Sequence, residues 1–205
     1  KIPSSLAKEL SDSMLTRLKE FNTAPALIQS LVNTLLQLSK AVASSPSEQH
    51  RLIKTWGEEL VSICDTRLAA YVLPLAGIPE PLMSNLDTSH CQDTMSWVPH
   101  IPPIASVQED VERVKRYLFT IGEVAQACHL PIPGRLITVV QALIAPMSLN
   151  EGGGSFPAPV RACAFVALGK MCLEDEKLAK KCVPAFAKEL ETSVSPIVRN
   201  NVMVI

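Results

Sequence analysis

Aromatic residues make up only 4% of this 205-residue chain, and glycine accounts for only 8 positions. Sandwiches and barrels draw on aromatic and β-branched strands with frequent glycine turns, and nucleotide loops need clustered glycine, so both architectures are disfavoured. An excess of either charge is also missing. The 19 Lys and Arg residues nearly cancel the 20 Asp and Glu, leaving a net charge of −1, so any surface for nucleic acid or membrane has to be local. Cysteine occurs six times, at 64, 91, 128, 163, 172 and 182, without a C-x-x-C pair. Scattered among apolar neighbours, these residues read as reduced thiols of an intracellular protein. His90-Cys91, His100 and Cys128-His129 fit no zinc spacing, so no metal is expected. No apolar run reaches the ~20 residues that a membrane span needs. Residues 21–39 are interrupted by Asn22, Gln29, Asn33, Thr34 and Gln37, and the run from 136 is broken by Pro146. Neither G-x-S-x-G nor H-E-x-x-H occurs, and Gly152-Gly153-Gly154-Ser155 lacks the lysine of a phosphate loop. No catalytic residue, cofactor or small-molecule substrate is therefore expected.

What is present is apolar and helical in period. Hydrophobic residues make up 47% of the chain and charged residues 19%, below the ~25% of ordinary globular proteins. Much of this surface has to be buried. Leu6, Leu10, Met14, Leu18 and Phe21 recur at three- and four-residue steps and predict a first helix. Thr23 is the expected cap of a second, with Pro25 in its first turn and Leu27, Ile28, Leu31, Leu35, Leu38 and Val42 on one side. A third helix follows from Glu48 through Trp56, Leu60, Cys64 and Leu68 to Tyr71. Six prolines between 72 and 106 rule out a long helix there. Helix resumes near Ser106 along Val111, Val114, Leu118, Ile121 and Val124, and again from Pro133 along Leu136, Val139, Val140 and Leu143. Beyond a Gly-rich break at 150–155, helices are expected from Val160 to Cys172, from Lys177 to Leu190, and from Ile197 to the end. The organisation read from this pattern is an N-terminal helical segment at 1–71, a Pro-rich connection at 72–106, and a helical-repeat segment at 107–205. The Lys1 start and the uncapped apolar end are read as the limits of a fragment.

A recurrence organises the second half. Val160-Arg161 opens one helix and Val198-Arg199 another, 38 residues on, each just after a proline. Ile121-Gly122-Glu123-Val124 corresponds to Leu168-Gly169-Lys170-Met171 at a spacing of 47. Helical hairpins repeating every ~40–47 residues mark HEAT and armadillo arrays, in which a lone hairpin cannot bury its faces and neighbours must stack. The expected fold is an all-α solenoid of HEAT-like helical hairpins. The helix at 160–172 carries only Arg161 and Lys170 as charges, which suits an interior position.

The stretches VERVKRYLFTIGEVA at 111–125 and VRACAFVALGKMCLEDEKLAKKCVPAFAKELETSVSPIVRNNVMVI at 160–205 resemble the HEAT-repeat D-subunit family of condensin II. The resemblance implies a non-enzymatic scaffold, acting in the nucleus and on mitotic chromosomes. Its implied partners are the kleisin and SMC subunits of the complex, with DNA or chromatin as a further contact. A HEAT adaptor of the nuclear-transport or phosphatase-scaffold type would share the architecture. One departure is visible: the aspartate usual in the HEAT turn is absent from Thr192-Ser193-Val194-Ser195.

The candidate binding residues are cations. Lys177, Lys180, Lys181 and Lys188 fall on one helix face opposite Leu178, Cys182, Phe186 and Leu190. A solvated face, which Glu191 joins, is the plainer reading and phosphate or partner contact the sharper one. Arg113, Lys115 and Arg116 form a second cluster beside Glu109, Asp110 and Glu112. Arg161 and Arg199 are expected to be structural, bonding neighbouring turns and carbonyls, because interior helices seldom bury an unpaired charge. Ser195 before Pro196 is read first as a helix cap, and Ser45-Pro46 and Ser195-Pro196 also form proline-directed phosphorylation motifs.

Overall fold

The computed structural model describes residues 3–75, 104–145 and 156–205. The described residues contain eight helices and no strand: α1 (Ser4–Glu20), α2 (Pro25–Val42), α3 (Pro46–Leu75), α4 (Ile104–Cys128), α5 (Gly134–Ile144), α6 (Ala158–Glu174), α7 (Glu176–Thr192) and α8 (Pro196–Met203). Most of the Pro-rich connection, with His90, Cys91 and His100, lies outside these residues, as does the Gly-rich break. No described helix is long and apolar enough to cross a membrane.

Local chemistry sets the boundaries. Asp175 caps α7, its carboxylate accepting from the amides of Lys177 (2.9 Å) and Leu178 (3.1 Å). Ser195 caps α8, accepting from the Val198 amide at 3.5 Å, as the sequence suggested. At α3 a reciprocal cap forms: Ser45 Oγ accepts from the Glu48 amide, and the Glu48 carboxylate reaches back to the Ser44 amide at 2.8 Å. These contacts hold the Glu48 carboxyl below the usual carboxylate range, first through the Ser44 hydroxyl and then through the Ser44 amide. The expected Thr23 cap does not form. Ala24 occupies the N-cap position, with no side-chain bond, and Pro25 opens the helix. Thr23 stands one residue too early for its hydroxyl to reach the first-turn amides, and the preset φ of Pro25 suits the first turn. Pro184 is accommodated inside α7 at an exposed position.

The helices stack in two layers. α2, α4, α6 and α8 follow one another in one layer, α3 and α5 pack in the other, and each of α1, α3, α5 and α7 leads into its partner in the first layer. Side-chain pairings show the directions. Gly122 and His129 of the α4 region meet α6 near Ala167 and Glu174, so α4 and α6 run parallel. Arg161 and Phe165 of α6 meet Glu189 and Phe186 of α7, so these two run antiparallel. This is the hairpin stacking that the recurrence predicted.

The core is one continuous cluster from Leu18 to Val202. Every quoted apolar position of α4 from Val111 to Val124 is buried, as are Leu136, Val139, Val140 and Leu143 of α5. α6 is buried nearly all round, through Val160, Ala164, Phe165, Leu168 and Met171, because helices pack on four sides of it. Small residues bring the stacked helices together. A Cβ added at Gly122 would lie 3.3 Å from Ala167 Cα, and one at Gly169 would run into the Ile205 side chain. The stripe of α1 is only half used: Leu18 and Phe21 are buried, whereas Leu6 and Leu10 are exposed.

Candidate functional site

The charged residues divide into those that fasten the stack and those that face outward. Glu123 is buried on α4, and its carboxylate receives the ammonium of Lys170 on α6. The two stand 47 residues apart, at equivalent places in the recurrence, so corresponding positions of successive hairpins carry opposite charges and meet. That opposition was the available signal for a pair that sequence reasoning missed. Outer-layer pairs reinforce the stack, with Lys19 meeting Glu59 and Arg135 lying 3.8 Å from Asp65. His129, just beyond α4, contacts Glu174 of α6 through Nδ1 at 2.7 Å.

Arg161 of α6 is engaged across the stack. Its Nη2 donates to Glu189 on α7 at 2.9 Å and reaches the Ile144 carbonyl at 3.4 Å, so a glutamate one helix away serves where the turn aspartate is missing. Arg199 is exposed and makes no such bond among the described residues, so the two repeat arginines differ in use. Arg116 turns inward: its Nη1 donates to the Phe21 carbonyl at 3.1 Å, where the chain leaves α1 in a left-handed turn (φ 52°). Tyr117 packs edge-on against the Phe21 ring, with centroids 4.6 Å apart. Lys115 pairs with Glu112 at 2.7 Å, and Arg113 is exposed. The second cationic cluster is thus divided between a fastening and the surface.

The first cluster stays outward. Lys177, Lys180, Lys181 and Lys188 are all exposed on α7, while Leu178, Cys182 and Phe186 behind them are buried. Lys180 meets Glu176 at 2.7 Å, both well exposed, and such pairs are worth little. Lys177, Lys181 and Lys188 have no acidic partner among the described residues.

Two of these lysines border a cleft. α5 and α7 do not pack along their lengths, and the opening between them has a volume of about 580 Å³. Phe165 and Leu168 of α6 form its floor, Gln141 and Ile144 belong to the α5 wall, and Lys181, Ala185 and Lys188 to the α7 wall. The volume falls within the ~300–1,000 Å³ of ordinary ligand pockets, but the shape is an open trough between helices. Cys64, Cys128, Cys163, Cys172 and Cys182 are free thiols. Burial pushes Cys128 up to about 12 and Cys163 up to about 11, and burial with the neighbouring Cys182 pushes Cys172 up to about 12. Thiols so shifted are poor nucleophiles.

Together these features define an all-α HEAT-like helical stack with an outward cationic face. Residues 111–190, which run from α4 through most of α7, match the family described as condensin-2 complex subunit D3-like HEAT repeats. The matched stretch is thus similar to the HEAT repeats of condensin-2 subunit D3 proteins. The chain is 29% identical over its whole length to condensin-2 complex subunit D3-L of Xenopus laevis, and 25% identical to condensin-2 complex subunit D3 of Mus musculus. It is also 25% identical, over 99% of its length, to condensin-2 complex subunit CAP-D3 of Arabidopsis thaliana. The chain spans 13% of each of the two animal relatives and 16% of the plant one. No solved structure matches it.

Proposed function

We propose that this segment is part of a non-enzymatic scaffold in a chromosome-condensing SMC complex, binding kleisin and SMC subunits through surfaces of its stacked helices in the nucleus. The observation that carries the reading is the alignment of the family match with the α4–α7 stack. Its interior charges, Glu123, Lys170 and Arg161, serve the stacking, which leaves the outer cations of α7 free for partners. Contact with DNA or chromatin falls to Lys177, Lys180, Lys181 and Lys188 with Arg113. The net charge of −1 supplies no wider attraction. A scaffold of this kind needs no cofactor, metal or small-molecule substrate. The test is co-purification of the full 205-residue chain with the condensin II kleisin, using a nuclear-transport adaptor cargo and a phosphatase catalytic subunit as controls. Retention of kleisin alone supports the proposal, and retention of a control in its place refutes it.

A further inference from the structure

The cleft between α5 and α7 calls for a more specific occupant than a general scaffold surface. In the other layer α4, α6 and α8 close on one another, and α3 closes on α5, but α5 and α7 stand apart. Their polar meeting point is the Gln141 Nε2 to Cys182 Sγ contact at 3.8 Å. From there the trough runs toward Thr192 and Val194, along about eleven residues of α7. At 1.5 Å per residue that is roughly 16 Å, the length of about five residues of extended chain.

The lining combines apolar surface with unpaired positive charge. Ile144 is half-buried, Ala185 is exposed, and Val194 at the far end is 95% exposed. Lys181 and Lys188 stand two helical turns apart on the rim, about 10 Å along the axis, which suits carboxylates a few residues apart on an extended segment. The acid in the wall, Glu189, is already engaged by Arg161, so it does not neutralise the rim lysines.

We propose that this cleft docks a short extended segment of a partner protein that carries bulky apolar side chains flanked by Asp or Glu. The proposal rests on the reading of the chain as a partner-presenting scaffold, but it names the chemistry of the segment and not the protein that bears it. An apolar floor between helices distinguishes such a segment from duplex DNA. Phosphates would be met equally well by Lys177 and Lys180, which lie outside the trough, and DNA has no apolar side chain to place on Ile144 and Ala185.

The test is selection of phage-displayed random dodecapeptides on the full 205-residue chain, followed by fluorescence anisotropy of the best peptide after synthesis and labelling. Selected peptides are expected to be enriched in Asp or Glu together with Leu, Ile or Phe. Reversing the rim, Lys181→Glu with Lys188→Glu, is expected to weaken binding at least tenfold. Lys177→Glu with Lys180→Glu is expected to change it less than threefold. Ala185→Trp, which fills the trough, is expected to weaken binding without reversing any charge. All these positions are exposed, and unchanged circular dichroism and melting confirm that the variants fold. An empty selection, enrichment of basic peptides, equal loss from both lysine pairs, or displacement of the peptide by a 24-base-pair duplex overturns the proposal. Failure of kleisin to co-purify while acidic peptides bind the trough refutes the identity of the partner and leaves the docking site standing. Kleisin binding that survives rim reversal and Ala185→Trp, alongside an empty selection, has the opposite meaning.

Discussion

Replacing Glu123 tests whether the stack is held by paired charges or by apolar packing alone. Glu123 is 7% exposed, and its partner Lys170 is held with about a fifth of its side chain in contact with solvent. Two unit charges ~3 Å apart in surroundings of effective dielectric ~20 attract by about 5 kcal/mol, and most of that offsets the cost of taking both out of water. Removing one partner of a fully buried pair costs about 3–5 kcal/mol, because the other charge is left stranded. Lys170 can recover some hydration, so Glu123→Leu is expected to cost about 2–3 kcal/mol, and Lys170→Met somewhat more because Glu123 is the deeper of the two. The double replacement, which leaves no stranded charge, is expected to fall within ~1 kcal/mol of the parent. Urea denaturation of the four proteins closes the cycle, with an expected coupling of about 3 kcal/mol or more. Strict additivity would mean that the two charges act independently, and the fastening role assigned to them would be wrong.

Other consequences are accessible to the same methods. Gly122→Val places a branched side chain against the Ala167 backbone and is expected to destabilise by about 1–3 kcal/mol, whereas Gly134→Ala, with open space around it, should not destabilise. Arg116→Met removes the bond to the Phe21 carbonyl, and a loss of about 1.5–3 kcal/mol is expected, with hydrogen exchange rising first in α1 and α2. Because the folded-state pKa of Glu48 is lowered, its stabilising effect is present above the unfolded carboxyl value and disappears as pH falls through the folded one. Carbon-detected NMR titration should place its midpoint below that of an exposed glutamate, and Ser44→Ala should move it back up. DNA binding by this chain, if measured, is expected to be weak; four phosphate contacts from the α7 lysines correspond to a log-log salt slope of about −3.6, and tight salt-insensitive binding would contradict the electrostatic account.

How far the fold could be read from the chain depends on the range of each determinant. Helical faces are local properties, so the buried residues of α4 and α5 and the all-round burial of α6 followed from periodicity and sparse charge. The proline-led Val-Arg recurrence and the 47-residue correspondence carried the hairpin stacking, because equivalent positions must meet when repeats stack. In the candidate site, the α7 lysine face was legible from helical angles. The uses of Arg116 and Arg161 were not, since both depend on which carbonyl or carboxylate another helix brings within bonding distance. Leu6 and Leu10 make the same point: periodicity marks an apolar stripe, but only packing decides how much of it is covered. The separation of α5 from α7, and with it the trough, is set by how α6 spaces its neighbours. That spacing is a sum of packing choices along three helices, and no single stretch of sequence encodes it.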